Sequence, residues 1–516
     1  MEDYRRIADR IADDIAAGRL KPGERLPPQR VFARRRGIAG STAGRVYSEL
    51  VRRGLVVGEV GRGTFVRAAP LPSGRALAEP ATTAPVNLEL NYPSAPGQSE
   101  LLAPALAPLL RPDVLTESLR TAPATGTAAA REAAAAVLAT PGWRPAPSRL
   151  AFAGNARQAI AAALASLVRP GGRVGIESLT YPLVKEIATR LGITLVPLPM
   201  DAQGLRPEAV ASAHRSTPLS AVYVQPTLHN PTSVTMGDQR RRQLAAVVRD
   251  VDLPVVEDRI WSFLHEGPLP PLGAYAPERT YVVDGLSKRV APGLTVGFLV
   301  VPDDRVEQVA AALRSGAWTA SRFALEAAVR WIADGTVDQL VAAKRVDATE
   351  RQRLVAEHLD GFAVHSDPRA YYAWWELPPP WRGDTFTAAA AERGIAITPG
   401  SAFAPIAVGM RAARGDIPPV PAVGMRAARG EGGPPCSSEV ENLGEGGHWG
   451  YPLLEELGGG TSQAPSSAPT PSPAPTRSTV QAAPPQDCVR LGLASSPPQE
   501  LAEALRTLAG IARTRP

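Results

Sequence analysis

The sequence predicts an α/β protein carrying a small basic helical module at its N-terminal end. Three observations support this expectation. Short β-branched runs alternate with helical patterns from about residue 87 to 400. The first 67 residues hold three helical patterns and two short strands. That same segment carries all of the chain's net positive charge: 15 Arg and Lys stand against 8 Asp and Glu, a net charge of +7, while the other 449 residues sum to −1. A cationic module on a neutral body favours polyanions, because phosphate contacts release condensed counterions.

Composition bounds the remaining choices. A chain of 516 residues is too long for one core and implies about two to four domains. The 53 prolines and 46 glycines, about a fifth of the chain, point to irregular stretches. No apolar run approaches the roughly 20 residues that span a bilayer. The opening MEDYRRIADR is charged where a secretory leader is apolar, so the expected location is cytoplasmic. Cys436 and Cys488 have no metal-ligand spacing, no metal site is expected, and a reducing compartment keeps both as thiols.

In the N-terminal module, Ile7, Ile11 and Ile15 are four apart and form one face of a helix from Tyr4 to Ala17, ended by Gly18. Pro22-Gly23 makes a turn, and Leu26-Pro27-Pro28 opens a second helix carrying Val31 and Phe32, broken at Gly37. Ser41-Thr42 is expected to cap a third helix with Val46, Leu50 and Val51 inward. Leu55 to Val57 and Thr64 to Val66 read as strands around the turn Val60-Gly61-Arg62-Gly63. Three helices and a hairpin make a winged helix-turn-helix. The string LKPGERLPPQRVFARRRGIAGSTAGRVYSELVRRGLVVGEVGRGTFV resembles the DNA-binding domain of the GntR family over nearly its whole length. The resemblance implies double-stranded DNA as partner. Arg30 at the start of the second helix, Ser41, Thr42 and Arg45 on the recognition helix, and Arg62 at the wing tip are the expected contacts. The family's usual arginine at the position of Gly40 is missing, so base preference is expected to differ.

Residues 68–86, rich in Ala, Pro, Ser and Thr, read as a flexible linker. Beyond it, candidate strands are Val174 to Ile176, Thr194 to Pro197, Ala221 to Val224, Pro254 to Val256, Thr280 to Val283 and Gly297 to Val300. With helices between them, they predict a mainly parallel sheet covered on both faces. This large part extends to about residue 335, and a small α+β part follows. Residues 405–487 break the pattern. They are crowded with Gly, Pro, Ser and Ala, and AVGMRAARG occurs in them twice, at Ala407 and at Ala422. The segment is expected to be a disordered insertion. The folded pattern returns at CVRLGLASSP and ends in a helix from about Glu500 to Arg513, so the second domain comprises 87–404 and 488–516.

The chemistry concentrates in the large part. DGLSKRVAPGL, Asp284 to Leu294, resembles the Schiff-base segment of fold-type I aminotransferases, which use pyridoxal 5'-phosphate (PLP). The resemblance makes Lys288 the lysine that bonds the cofactor's aldehyde carbon, a task that needs a desolvated amine. It assigns Asp258 of VVEDRIW to the pyridinium nitrogen, Asn230 of QPTLHNPTS to the phenolic oxygen and Tyr181 of ESLTYP to stacking on the ring. GNARQAI opens a helix after an apolar strand, so the amides of Ala156 and Arg157 are placed to meet the phosphate. Arg490 of VRLGLAS matches the arginine that grips a substrate carboxylate.

Two departures stand out. Family members commonly carry an arginine seven positions after the lysine, and a tyrosine two or three positions after the aspartate. Thr295 takes the first place, and Ile260 and Trp261 the second. Each lost charge-assisted bond is worth roughly 1.5–3 kcal/mol, so weakened cofactor binding is expected, with Arg157 or Arg289 as the available substitutes. A wing, a linker and an aminotransferase-like domain in this order resemble the MocR/GabR branch of the GntR family. That implies a homodimeric regulator whose cofactor-bearing domain senses an amino compound. A working aminotransferase, and a regulator whose large domain is a cofactor-free dimerisation scaffold, are the alternatives.

Overall fold

The computed structural model describes residues 4–16, 19–20, 24–52, 55–59, 63–66, 84–267, 269–405 and 484–514. The N-terminal module has helices Tyr4–Ala16, Gln29–Arg36 and Gly40–Arg52 and strands Val56–Glu59 and Gly63–Val66. Its core is the apolar face read from the sequence: Ile7, Ile11, Phe32, Val46 and Leu50 are buried together. Gly37 stops the second helix in the left-handed region at φ 62°, donating its N–H to the carbonyls of Ala33 and Arg34. Two details correct the sequence reading. A third strand, Arg25–Leu26, pairs antiparallel with Thr64–Phe65. The third helix also begins at Gly40, so Ser41 and Thr42 lie in its first turn instead of capping it. Gly18, Pro22-Gly23 and the wing tip with Arg62 lie outside the described residues.

The large domain is built on seven strands in the order Leu150–Ala153, Gly297–Val300, Thr280–Gly285, Val255–Asp258, Ala221–Val224, Arg173–Glu177, Thr194–Leu198. The last five are mutually parallel, and Gly297–Val300 runs against both its neighbours. All six predicted strands are present. The central ones are buried along their whole length because helices cover both faces. Tyr223 and Val256 join one core with helix Ala156–Leu167. Val222, Val224 and Val255 join another with helix Asp238–Asp250.

Helix Thr336–His358 leads to the small part. There, strands Ala363–His365, Tyr372–Glu376, Cys488–Gly492 and Thr398–Pro399 form a sheet in that order. Trp375, Phe386, Leu491 and Leu505 fill its core. Two boundaries shift from those expected. Val86, assigned to the linker, already pairs with Ile395, and Pro485–Asp487, assigned to the insertion, form a helical turn whose Asp487 carbonyl accepts from Leu377 N–H. Residues 68–83 and 406–483, which hold the rest of both predicted segments, lie outside the described residues. No helix among the described residues is long and apolar enough to cross a membrane.

Candidate functional site

Parallel strands deliver their following loops to one edge of the sheet, where ligands bind in α/β folds. Gln225 follows strand Ala221–Val224, Asp258 ends Val255–Asp258, and Lys288 lies just past Thr280–Gly285. All three line one cleft, together with Asn230, Tyr181, Ala156, Arg157 and Arg490. Seven side chains or amides singled out in separate stretches of sequence therefore meet at a single place.

Lys288 sits on a one-turn helix, Leu286–Arg289. Its Nζ donates to the Asn91 carbonyl at 2.7 Å and lies 4.3 Å from the Tyr92 ring centroid and 5.2 Å from that of Trp261. Burial, with the positive charges of Arg157, Arg490 and Lys344 nearby, pushes the ammonium down to about 7. At neutral pH a large fraction is thus the free, nucleophilic amine. A second lysine, Lys344, holds the short helix in place. It is fully buried and donates to the carbonyls of Lys288, Arg289 and Val290 at 3.1, 3.0 and 2.7 Å. These are the carbonyls a helix end leaves without partners.

Asp258 is 3% exposed and accepts three hydrogen bonds: from Tyr223 Oη at 2.7 Å, Gln225 Nε2 at 2.8 Å and the Ile260 N–H at 3.0 Å. Burial raises its carboxyl above the usual range, and these donors hold it back. Asn230, 8% exposed, has an Oδ1 with no hydrogen-bond partner. Tyr181 precedes helix Pro182–Arg190 and lines the cleft half-buried.

At the opposite end, Asn155 caps helix Ala156–Leu167 by accepting from Gln158 N–H at 3.0 Å. The positive end of this helix points into the cleft through Ala156 and Arg157. Gly297 permits this arrangement, since a Cβ there would lie 2.4 Å from the Asn155 carbonyl oxygen. Thr295 faces the cleft with its Oγ1 buried and without a partner. Arg157 is exposed at the rim. The other proposed substitute, Arg289, does not line the cleft: it is paired with Asp284 at 2.7 Å and stacked on Phe263.

Arg490 enters from the small part, 3% exposed, on strand Cys488–Gly492. Its Nη2 donates to the Glu89 carbonyl at 2.8 Å, and its Nε has no partner. Burial lowers the guanidinium to about 10. Sequence reasoning missed four residues here: Tyr223 and Gln225, which hold Asp258, Lys344, and Glu89, a buried acid in the cleft wall. The first two lie where a signal was available, at the end of a parallel strand. Glu89 is the lone acid among apolar residues in VNLEL.

In the N-terminal module, Arg30, Ser41 and Arg45 are exposed and Thr42 is half-buried. Ser41 and Arg45, four apart on one helix, share a face.

Comparison with known proteins agrees with both halves of this description. Residues 3–66 match the model of bacterial regulatory proteins, gntR family, and residues 93–411 that of aminotransferase class I and II. The uncharacterized HTH-type transcriptional regulator YdeF of Bacillus subtilis is 29% identical over 394 residues, 76% of this chain and 85% of that protein. The vitamin B6 salvage pathway transcriptional repressor PtsJ of Salmonella typhimurium is 23% identical over 399 residues, 77% of this chain and 90% of that protein. Among solved structures, LysN, an α-aminoadipate aminotransferase of Thermus thermophilus, shares the fold at a TM-score of 0.62 and 17% identity, over 84% of this chain and 92% of that one. The chain therefore belongs to the aminotransferase class I and II family and, with its GntR-type DNA-binding domain, to the MocR/GabR-type transcriptional regulators.

Proposed function

We propose that the chain is a cytoplasmic homodimer that binds PLP at Lys288 and alters its grip on DNA when an amino compound reaches that site. The observation that carries this reading is the meeting of a lysine with a depressed pKa, a buried aspartate and an anion-favouring helix end in one cleft. Unsatisfied polar atoms test the fit. Asn230 Oδ1, Thr295 Oγ1 and Arg490 Nε are buried in the cleft wall without partners, as expected of groups whose partner is a ligand.

When bound, PLP supplies an aldehyde that condenses with primary amines and a pyridinium ring that draws off electron density. The chain's part is to orient and to select. Lys288 offers an unprotonated amine. Asp258, fixed by Tyr223, Gln225 and the Ile260 amide, offers a carboxylate to a ring nitrogen. Asn230 and Tyr181 meet the ring, the amides of Ala156 and Arg157 with Thr295 meet the phosphate, and Arg490 meets a ligand carboxylate. Ile260 and Trp261 close the wall with apolar surface where the family usually has a phenol. The missing phenol favours binding and exchange of amines over turnover, while Lys288, with a pKa brought near neutrality, keeps the means to carry a proton. On the DNA side, Arg30, Ser41, Thr42, Arg45 and Arg62 are the proposed contacts, and two wings in a dimer match two half-sites.

The reading is tested by titrating PLP into the wild type and Lys288→Ala, reducing with borohydride and mapping the labelled peptide. A label on Lys288 supports it. A label on another lysine of a folded chain sinks the site, fast amino-group transfer favours a working aminotransferase, and no label at any PLP concentration favours the cofactor-free scaffold.

A further inference from the structure

Glu89 is the feature of the cleft that the reading above leaves without a task. It is 2% exposed, and its Oε2 has no hydrogen-bond partner. Its backbone is fully engaged: the N–H donates to Asn87 Oδ1 at 2.9 Å and the carbonyl accepts from Arg490. The carboxylate makes no hydrogen bond or ion pair among the described residues, although Arg490 is close enough to bond its carbonyl. Both residues line the cleft, each with an unpartnered buried polar atom, Oε2 on Glu89 and Nε on Arg490.

Burying a carboxylate without a partner costs several kcal/mol in effective terms, so such a group either takes up a proton or pairs its charge. Burial raises the Glu89 carboxyl to about 7, against the pull of Arg490, so near neutral pH a cation placed beside it would be enough to hold it ionised. A simple α-amino acid would lay its own carboxylate against Arg490 and therefore beside Glu89, like charge near like. A ligand with a second cationic group would meet the acid with the opposite sign.

We infer that the ligand of this cleft is a dicationic amino compound: one amine reacts at the cofactor, a carboxylate engages Arg490, and a second ammonium pairs with Glu89. This rests on the proposed function, since it takes Lys288 and Arg490 to hold the other two groups.

The test uses isosteric pairs that differ only in the second charge, L-ornithine against L-norleucine and L-2,4-diaminobutyrate against L-norvaline. Their binding to the full-length protein is followed by calorimetry with and without PLP, in two buffers of different ionisation heat. The expected result is that at least one cationic member binds roughly tenfold or more tightly than its neutral isostere, the worth of one charge-assisted contact, with little proton uptake. Glu89→Gln should bring that ratio near one, while Glu89→Asp should retain part of it. Ratios near one for both pairs in the wild type overturn the inference. So does tighter binding of the neutral members with uptake of one proton, which would make Glu89 a protonated acid that accommodates a carboxylate. Failure of the proposed function shows separately, as absence of the borohydride label at Lys288.

Discussion

The two ends of the cleft are built to different standards. At the proposed ring end, groups are held by others: Asp258 by three donors, the Lys288 helix by the three bonds from Lys344, and Asn230 through its N–H to Gln225 Oε1 at 3.3 Å. At the proposed phosphate end, a neutral threonine stands where the family usually has an arginine, and Arg157, at the start of the helix, is exposed. A site that must present one amine and recognise another needs its lysine and the groups around it in register, and that is the end held by the larger number of internal hydrogen bonds.

Substitutions at the two ends separate their contributions. The largest effect is expected at Lys288, where Lys288→Ala should abolish the borohydride-fixed PLP label. Lys344 should not replace it, since its amine is buried and committed to three carbonyls. Lys344→Met should follow: stranding those carbonyls is expected to lower stability by roughly 1–3 kcal/mol in denaturant unfolding, and to slow labelling of Lys288 in the fraction that folds. A protein that loses neither would show the ring end to be less organised than described.

At the other end, Thr295→Arg should tighten PLP binding by about ten- to a hundredfold, the range for one restored charge-assisted contact. Arg157→Ala should weaken it by less, roughly tenfold at most, because an exposed cation is screened. If Thr295→Arg gains nothing, the phosphate end is already satisfied by the helix amides. A smaller effect should appear in pH. With its pKa lowered to about 7, Lys288 is protonated and unreactive below that value. Labelling should therefore rise as pH increases through about 7 and level off above it, whereas an ordinary lysine would keep rising towards about 10.4.

What could be read from the sequence follows from how local each signal is. The parallel sheet was legible because its strands are continuous apolar runs. The residues that meet in the cleft were legible because short strings such as DGLSKRVAPGL and VVEDRIW carry them whole. Pairings across the chain were not. Lys344 lies 56 residues from Lys288, and Glu89 lies 401 from Arg490, and nothing in either neighbourhood announces the other. Element ends were misjudged where tertiary contacts override local preference. Gly40 is helical despite the better cap residues after it, and Val86 is recruited into pairing by Ile395.

Coupling between Lys288 and the DNA-binding domain is read from a duplex selected from random sequence by the full-length protein. Its affinity is measured at fixed salt for the wild type and Lys288→Ala, each saturated with PLP, with and without L-ornithine. The expected result is a several-fold change on adding L-ornithine to the wild type and a clearly smaller one in Lys288→Ala. An equal change in both proteins, no change in the wild type, or DNA binding as tight in a chain that starts at Val86 overturns that coupling.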